Sequence, residues 1–209
     1  GASGAYADVL SGTGTLVKAG DGTLVVTGAS RHTGGTLVAA GTLQGDAASL
    51  QGEILDNATL VFDQQTDGVF RGTLFGTGTV TKTGNGRLQL TGAHGFQGVT
   101  QVVAGTLALD GTLAGSVDVR AGTLALDGMI AGPVDVGAGA TLDGKGAIGG
   151  GLAARGTVTV GSSPDGAFGT LVVGGDLNLQ GGSRYGVLLD AAGDNSWLLV
   201  AGSAAIGGA

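Results

Sequence analysis

Three aspartates, each inside a Leu-Asp-Gly tripeptide, have the types and spacing best suited to chemistry. Asp110, Asp127 and Asp143 recur along the chain at two short and nearly equal intervals. Two carboxyl groups brought to one face could act as the acid and the base of glycoside cleavage. Asp-Gly is also common turn chemistry, and we favour that interpretation. Calcium turns are not predicted, because the G-G-x-G-x-D nonapeptide is not repeated.

The two histidines, His32 and His94, do not suggest a metal site. Both lie in glycine-rich turn regions, and they do not occupy equivalent positions of the internal repeat described below. No second histidine or carboxylate stands beside either one at a spacing that would complete a zinc site. We therefore expect surface histidines and no bound metal.

Two further stretches approximate known motifs without completing them. The stretch "GATLDGKG" (residues 139–146) has Gly146 where a phosphate loop needs Ser or Thr, and no helix is predicted after it. The stretch "GSSPDG", with Ser162 and Ser163, lacks the G-x-S-x-G spacing of a nucleophile elbow. We predict no catalytic, cofactor-binding or metal-binding residues, and no cofactor.

The composition limits the classes of partner. Of 209 residues, 42% are hydrophobic and 12% are charged, so the chain can bury a core despite its 47 glycines. The net charge of −7 disfavours nucleic acid and anionic membrane surfaces as partners. No apolar run approaches the roughly 20 residues of a membrane span. The chain has no cysteine, which excludes disulfides and zinc-thiolate sites.

Short strand patterns between glycine turns must position these side chains. Examples are "GTLVVTG" (residues 22–28), "ATLVFDQ" (58–64), "GRLQLTG" (86–92) and "GTVTVGS" (156–162). No window shows sustained helical spacing with caps. The sequence therefore predicts an all-β chain.

Two internal periods predict a β-solenoid, in a single elongated domain. The long repeat is the return of residues 12–35 as residues 76–99, and the short one is the occurrence of "GTLALDG" at both Gly105 and Gly122. Coils of roughly 20 residues would give about ten coils and a length of about 50 Å. The three Leu-Asp-Gly aspartates would then stack in successive coils. An immunoglobulin-like sandwich also has frequent short strands, but it has no reason to repeat its own sequence.

Residues 12–44, with a second copy from Gly76, resemble the passenger-associated transport repeat of bacterial type V autotransporters. Residues 139–190 are similar to the segment before the translocator barrel of that family, where a Ser-Pro precedes Gly-Thr-Leu. Ser163 and Pro164 occupy those places here, with an insertion, residues 165–168, after them. The resemblance covers nearly the whole chain and implies a right-handed parallel β-helix.

The resemblance also implies how the chain is divided and what each part does. We expect β-helix coils with the two repeats over residues 1–155, and autochaperone-like coils over residues 156–209. The whole would be the membrane-proximal stalk of a passenger, which displays an N-terminal effector and promotes passenger folding and secretion. It would lie at the bacterial cell surface or be secreted, after transit through the periplasm and outer membrane.

The partners implied are the C-terminal translocator β-barrel and the N-terminal effector domain of the same polypeptide. The fragment itself is expected not to be an enzyme. One alternative is an adhesin that binds a receptor on a host or neighbouring cell, which an exposed binding face would favour. A carbohydrate-active enzyme is the third hypothesis, which close carboxyl groups with raised pKa values would favour.

The last coils contain the only tryptophan and one of the two tyrosines, in the most apolar segment of the chain. Large side chains bury more area than Val and Ala, at roughly 25 cal/mol per Å². We therefore predict that this end is the stable folding nucleus and that the N-terminal coils fray first. The predicted nucleus residues are Tyr185, Val187, Leu189, Trp197, Leu198 and Val200.

Overall fold

The computed structural model describes residues 2–161 and 168–207, which form strands joined by turns. Thirty strands are present in these ranges and no helix, so the prediction of an all-β fold is confirmed. Numbered along the chain, the first fifteen are β1 (Gly4–Tyr6), β2 (Ser11–Gly12), β3 (Leu16–Lys18), β4 (Thr23–Val26), β5 (Arg31–His32), β6 (Thr36–Val38), β7 (Thr42–Gly45), β8 (Glu53–Asp56), β9 (Thr59–Asp63), β10 (Gly68–Phe70), β11 (Thr73–Gly76), β12 (Thr79–Thr83), β13 (Arg87–Leu90), β14 (Ala93–His94) and β15 (Val99–Val102). The other fifteen are β16 (Thr106–Leu109), β17 (Thr112–Leu113), β18 (Ser116–Val119), β19 (Thr123–Leu126), β20 (Met129–Ile130), β21 (Val134–Val136), β22 (Thr141–Gly144), β23 (Ala147–Ile148), β24 (Leu152–Ala154), β25 (Thr157–Val160), β26 (Thr170–Val173), β27 (Leu177–Leu179), β28 (Arg184–Val187), β29 (Trp197–Val200) and β30 (Ala204–Ile206).

The strands stack into a parallel β-solenoid with three faces. Face one is an eleven-stranded sheet in the order β1-β4-β7-β9-β12-β15-β18-β21-β24-β27-β30. Face two contains the pair β2-β5 and the seven-stranded sheet β10-β13-β16-β19-β22-β25-β28. Face three contains β3-β6-β8-β11 followed by β14-β17-β20-β23-β26-β29. Each coil of the chain passes through faces one, two and three in that order.

Contacts between the shorter sheets make each face continuous. On face three, β11 and β14 lie side by side, and the Leu74 N–H donates to His94 Nδ1 at 3.3 Å. On face two, a turn at residues 46–50 takes the place of a strand in the coil between β5 and β10. The Ser30 N–H donates to Ala48 O of this turn at 3.1 Å. The eleven strands of face one, at a spacing of about 4.8 Å, span about 48 Å. This agrees with the length expected from the sequence.

The core is built from columns of inward side chains, because successive residues of a strand point to opposite faces. On face two a column of leucines runs in register from Leu88 to Leu142, each at most 1% exposed. The largest buried rings, Phe62, Phe70 and Phe96, lie in the middle coils. The rings of Phe62 and Phe70 meet edge to face, with centroids 5.3 Å apart. The most aromatic part of the core is therefore central.

The long repeat is rotated by one face between its two copies. Lys18 lies in β3 on face three, whereas its repeat equivalent Lys82 lies in β12 on face one. The register of face three pairs Lys18, through Val38 and Asp56, with Gly76 three coils further on. From Gly76 to Lys82 the chain then turns the corner onto face one. One repeat therefore equals three coils plus one face.

Candidate functional site

Two buried lysines occupy equivalent corners of the two repeats, and sequence reasoning did not single them out. Lys82 is 0% exposed, and its Nζ donates to Thr83 O and Gly84 O at 2.8 Å and to Ala104 O at 3.1 Å. Burial lowers the pKa of Lys82, and the negative charge of Asp63 opposes that effect. Because all three bonds end on backbone carbonyls, the ammonium group fixes a turn and is not offered to a substrate.

Lys18 has the same arrangement in the first copy of the long repeat. Its Nζ donates to Gly20 O at 2.6 Å, to Ala40 O at 2.9 Å and to Ala19 O at 3.3 Å. The side chain is 6% exposed, because this corner lies nearer the N-terminal end of the stack. The sequence does contain a signal for the pair, since a lysine followed by a small residue and glycine recurs at both places.

A serine and a histidine meet in the first repeat. Ser30 Oγ and His32 Nδ1 are 2.5 Å apart, and His32 Nε2 lies 3.1 Å from Gly35 O and from Thr36 Oγ1. A hydroxyl bonded to an imidazole is one element of a nucleophilic serine site. Ser30, however, is only 8% exposed. The imidazole of His32 is therefore placed to act as a base toward the Ser30 hydroxyl, but a substrate has little access to that hydroxyl.

The second repeat shows what the His32 position does structurally. The equivalent residue in the second copy is Phe96, which is fully buried. An aromatic ring therefore fills this place in both copies, and only one copy has an imidazole. His94 takes the position equivalent to Ser30 and is 2% exposed, so the expectation of a surface histidine is wrong for His94. It is buried because its ring turns inward beside Phe70, with ring centroids 6.1 Å apart.

His94 should make stability depend on pH, and replacing it with asparagine should weaken that dependence. Burial lowers the pKa of His94 from 6.5, and the polar backbone of Thr91 near the ring opposes that effect. The stability that a neutral His94 provides is therefore complete above pH 6.5 and is lost as the pH falls through the lowered pKa. In His94→Asn, the amide oxygen can still accept from the Leu74 N–H, but it does not titrate.

We expect this variant to be less stable than wild type by about 1–2 kcal/mol at pH 8, because ring packing is lost. The difference should shrink as the pH is lowered to 5. Urea unfolding across this pH range measures it. If the free energies of unfolding of wild type and His94→Asn differ by the same amount from pH 8 to pH 5, the pKa of His94 does not change on folding.

The three Leu-Asp-Gly aspartates do not form one column. Asp110 and Asp127 follow the paired residues Leu109 and Leu126, so they stack as expected. Asp143 lies within β22, in register with Ala125 and Thr159, which corrects the expectation that all three stack. The cause is that the third copy lacks the Leu-Ala that precedes the tripeptide in the other two, so its aspartate comes early in the strand.

Asp143 has one property of a catalytic acid. Burial, and then the negative charge of Asp127, raise the pKa of Asp143 to about 6. The side chain is half-buried on face two. Five of the surface depressions in the described part of the molecule have volumes of about 210–320 Å³, and none of these five is lined by Asp110, Asp127 or Asp143. The carboxyl groups therefore have no substrate groove among these cavities.

Asp56 is a second carboxyl group with an unusual environment. It is 0% exposed, and its Oδ1 accepts from the Ala58 N–H at 3.0 Å. Its Oδ2 has no hydrogen-bond partner among the described residues. Burial raises the pKa of Asp56 to about 6, although the Ala58 bond acts in the opposite direction. Because the side chain is fully buried, it bears on stability and not on chemistry.

The predicted nucleus residues lie in the last strands of faces two and three. Tyr185 and Val187 belong to β28, Leu189 follows it, and the other three belong to β29. Trp197 is 64% exposed and Leu189 is 67% exposed. The expectation that these large side chains bury more area than the earlier coils is therefore wrong. Trp197 is exposed because it points outward, on the opposite side of β29 from the inward-pointing Leu198. Tyr185 pairs with the buried Val158 but stays exposed, because β28 is the last described strand of face two.

Leu198 and Val200 point inward in β29 and pack against the core while remaining partly exposed. The choice of these residues as the nucleus stays a prediction, which now depends on the inward pair.

The stretch "GATLDGKG" forms β22 and a turn before β23, and it is not a phosphate loop. Ser162, Ser163 and Pro164 lie outside the described residues, as does most of the insertion after them.

Among residues 2–161 and 168–207, no group of three or more His, Asp or Glu side chains is arranged to hold a metal ion. A helix with the length and apolar character needed to span a bilayer is likewise absent from these ranges.

Comparison with known proteins gives the family of the repeats. The passenger-associated-transport-repeat family matches residues 16–44 and 80–109. The chain is 37% identical over 136 residues to the adhesin BmaC autotransporter of Brucella suis biovar 1 (strain 1330). It is 42% identical over 113 residues to an extracellular serine protease of Serratia marcescens. No solved structure matches the chain significantly.

These relatives are much longer than the matched region. The alignments cover 53% and 54% of this chain, but only 4% and 9% of the two relatives. Both matched segments of the repeat family fall on described strands of the solenoid, at the corners fixed by Lys18 and Lys82. The repeats, the parallel β-solenoid and the two relatives together support an autotransporter passenger domain, and the descriptions of the relatives indicate a location at the cell surface or secretion.

Proposed function

We propose that this chain is a rigid stalk segment of the passenger, and that it displays an effector domain of the same polypeptide away from the outer membrane. The observation that carries the proposal is the unbroken stacking of eleven strands on face one. Each coil buries its inward side chains against the coils before and after it, so bending the rod would expose core surface. The stacking also continues across residue 156, the boundary expected from the sequence.

We also propose that the chain itself performs no catalysis. Ser30 is too buried to reach a substrate, and Asp143, whose pKa is raised, lines none of the five cavities described above. The neighbours that the proposal requires are an N-terminal effector and a C-terminal translocator of the same polypeptide. A protease effector would fit the Serratia relative, which is described as an extracellular serine protease.

An adhesin is the second candidate function. It is favoured by the 37% identity to a protein described as an autotransporter adhesin. In that case the lateral faces of the solenoid would themselves contact a receptor. Binding of the purified chain to host or bacterial cells, saturable and lost on substitution of one face, would favour this function over the stalk.

The proposed autochaperone role predicts that the C-terminal coils control refolding. Leu198 pairs with Leu171 and points inward, so Leu198→Asp should place a charge at the edge of the core. We expect this variant to refold at least several-fold more slowly than wild type. Leu24→Asp changes a partly buried leucine near the other end and should mainly speed unfolding. Stopped-flow refolding and hydrogen exchange measure both effects.

Leu199→Asp is the matched control, because Leu199 lies in the same strand but is 58% exposed. It should refold like wild type. The slowest-exchanging amides should lie after about residue 156. If they lie in the first repeat, or if Leu198→Asp and Leu24→Asp slow refolding equally, the autochaperone role is rejected and the stalk role remains.

A further inference from the structure

The outer surface of face three carries a ridge of large apolar side chains in its N-terminal half. The ridge consists of Val17, Leu37, Leu55 and Phe75, which lie in register on β3, β6, β8 and β11. Val17 is 54% exposed, Leu55 39% and Phe75 38%. Four consecutive coils thus present a branched or aromatic side chain at the same outward position.

The same outward column continues as a floor of small residues in the next four coils. The floor consists of Gly95, Ala114, Ala131 and Gly149. A Cβ atom on Gly95 would lie 3.0 Å from the Phe75 ring, which places the two positions next to each other. Backbone bonds from Ala114 to His94, from Ala131 to Leu113 and from Gly149 to Ile130 carry the column onward. A cavity of about 280 Å³ lies over this floor, with Met129 on one side.

The ridge and floor are almost free of charge. In the eight strands that bear or flank them, Glu53 is the one exposed charged residue among those described, because Lys18 and Asp56 point inward. The chain as a whole has a net charge of −7. Two copies approaching through this face therefore avoid most of the repulsion that their other faces would cause.

We propose that face three pairs with a second copy of this chain, with the two rods antiparallel, so that the ridge of each copy packs on the floor of the other. A two-fold interface brings one patch into contact with itself, so residue i meets j and j meets i. With the axis between the Phe75 and Gly95 levels, Phe75 meets Gly95 of the second copy and Leu37 meets its Ala131. A parallel pair would instead place ridge on ridge and leave both floors uncovered.

The size of the strip predicts a weak dimer. Eight levels at about 4.8 Å give a length of about 38 Å. The strip is about 12 Å wide, because the strands of face three are at most four residues long and a strand rises about 3.3 Å per residue. The interface would bury about 900 Å² in total, which is near the lower limit for a specific protein contact. Association is therefore expected at micromolar or higher concentrations of the chain.

Pairwise crosslinking tests the orientation, and the absence of cysteine makes single substitutions clean. Facing sheets lie about 10 Å apart, so a bismaleimide of that span joins opposed positions. A mixture of Leu37→Cys and Ala131→Cys chains should give a crosslinked heterodimer. Leu37→Cys alone should not crosslink, because its two copies would lie five levels, or about 24 Å, apart along the rod. Crosslinking of Leu37→Cys to itself would establish a parallel pair and overturn the proposal.

Sedimentation velocity tests whether the face associates at all. Wild type should shift from monomer to dimer with rising concentration, and Leu55→Lys should raise the dissociation constant at least tenfold. Val99→Lys is the matched control, because Val99 is 37% exposed but lies on face one, and it should dimerise like wild type. Circular dichroism checks that each variant is folded. A wild-type chain that stays monomeric up to about 1 mM, or equal effects of the two lysines, would refute the interface.

Discussion

Lys82→Met is expected to lower the free energy of unfolding by about 3 kcal/mol, because three buried carbonyls lose their hydrogen-bond donor. Each unsatisfied buried polar group costs about 1–3 kcal/mol, and part of that cost is offset because the ammonium no longer has to be desolvated. Methionine has nearly the same shape as the lysine stem, so core packing is preserved. Urea unfolding at pH 7 measures the change.

Lys18→Met is the matched control for this experiment. Lys18 makes the same three carbonyl contacts, but its corner lies nearer the end of the stack and the side chain is slightly more exposed. Water can replace part of its bonding there, and we expect a loss of about 1 kcal/mol. If Lys82→Met proved as stable as wild type, desolvation of the ammonium would outweigh its hydrogen bonds, and the corner would not depend on the lysine.

Asp56→Asn should raise the free energy of unfolding at pH 8 by up to about 3 kcal/mol. Burial raises the pKa of Asp56 from 3.8 to about 6, and each pKa unit corresponds to about 1.4 kcal/mol. The folded state therefore disfavours the ionised carboxylate. The stability that the protonated Asp56 provides is complete below pH 3.8 and is lost as the pH rises through about 6. Asparagine keeps the oxygen that accepts from the Ala58 N–H and carries no charge at any pH.

The advantage of Asp56→Asn should consequently disappear as the pH is lowered from 8 to 4. Asp176→Asn is a control for which we expect the opposite change in stability, because hydrogen bonds from the backbone N–H and the side chain of Ser203 lower the pKa of Asp176. That variant should lose stability relative to wild type above pH 4. Thermal unfolding across this range measures both. An Asp56→Asn advantage that is the same at pH 4 and pH 8 would contradict a titrating carboxyl group.

The architecture is predictable from the sequence because the solenoid depends on local periodicity. Alternating strands such as "GRLQLTG" and the long and short internal repeats are enough to predict an all-β stack of about the observed length. The orientation of the repeats is not predictable in this way, because one repeat equals three coils plus one face only after the turns are built. The number of residues in each turn is not encoded in a recognisable sequence pattern.

Individual side chains are harder to predict because their environment depends on register. Asp143 is expected beside Asp127, but a shorter stretch of strand before it places it beside Ala125. Trp197 is expected to be buried because of its size, but it takes an outward-pointing position in its strand. The buried lysines carry a signal that was missed: strand alternation together with the recurrence of Lys18 as Lys82 could have identified both as inward residues.

The rotation between the two repeats has a consequence for how such a protein can lengthen in evolution. A duplicated long repeat that keeps this geometry does not place the same surface directly above the first one. It presents each outward residue on the next side of the rod, as Lys18 and Lys82 do on the inside. Only after three added units would a surface feature return to its original side. Tandem duplication therefore lengthens the rod while diversifying each side, and a receptor or antibody bound to one side would meet the same epitope again only three repeats further along.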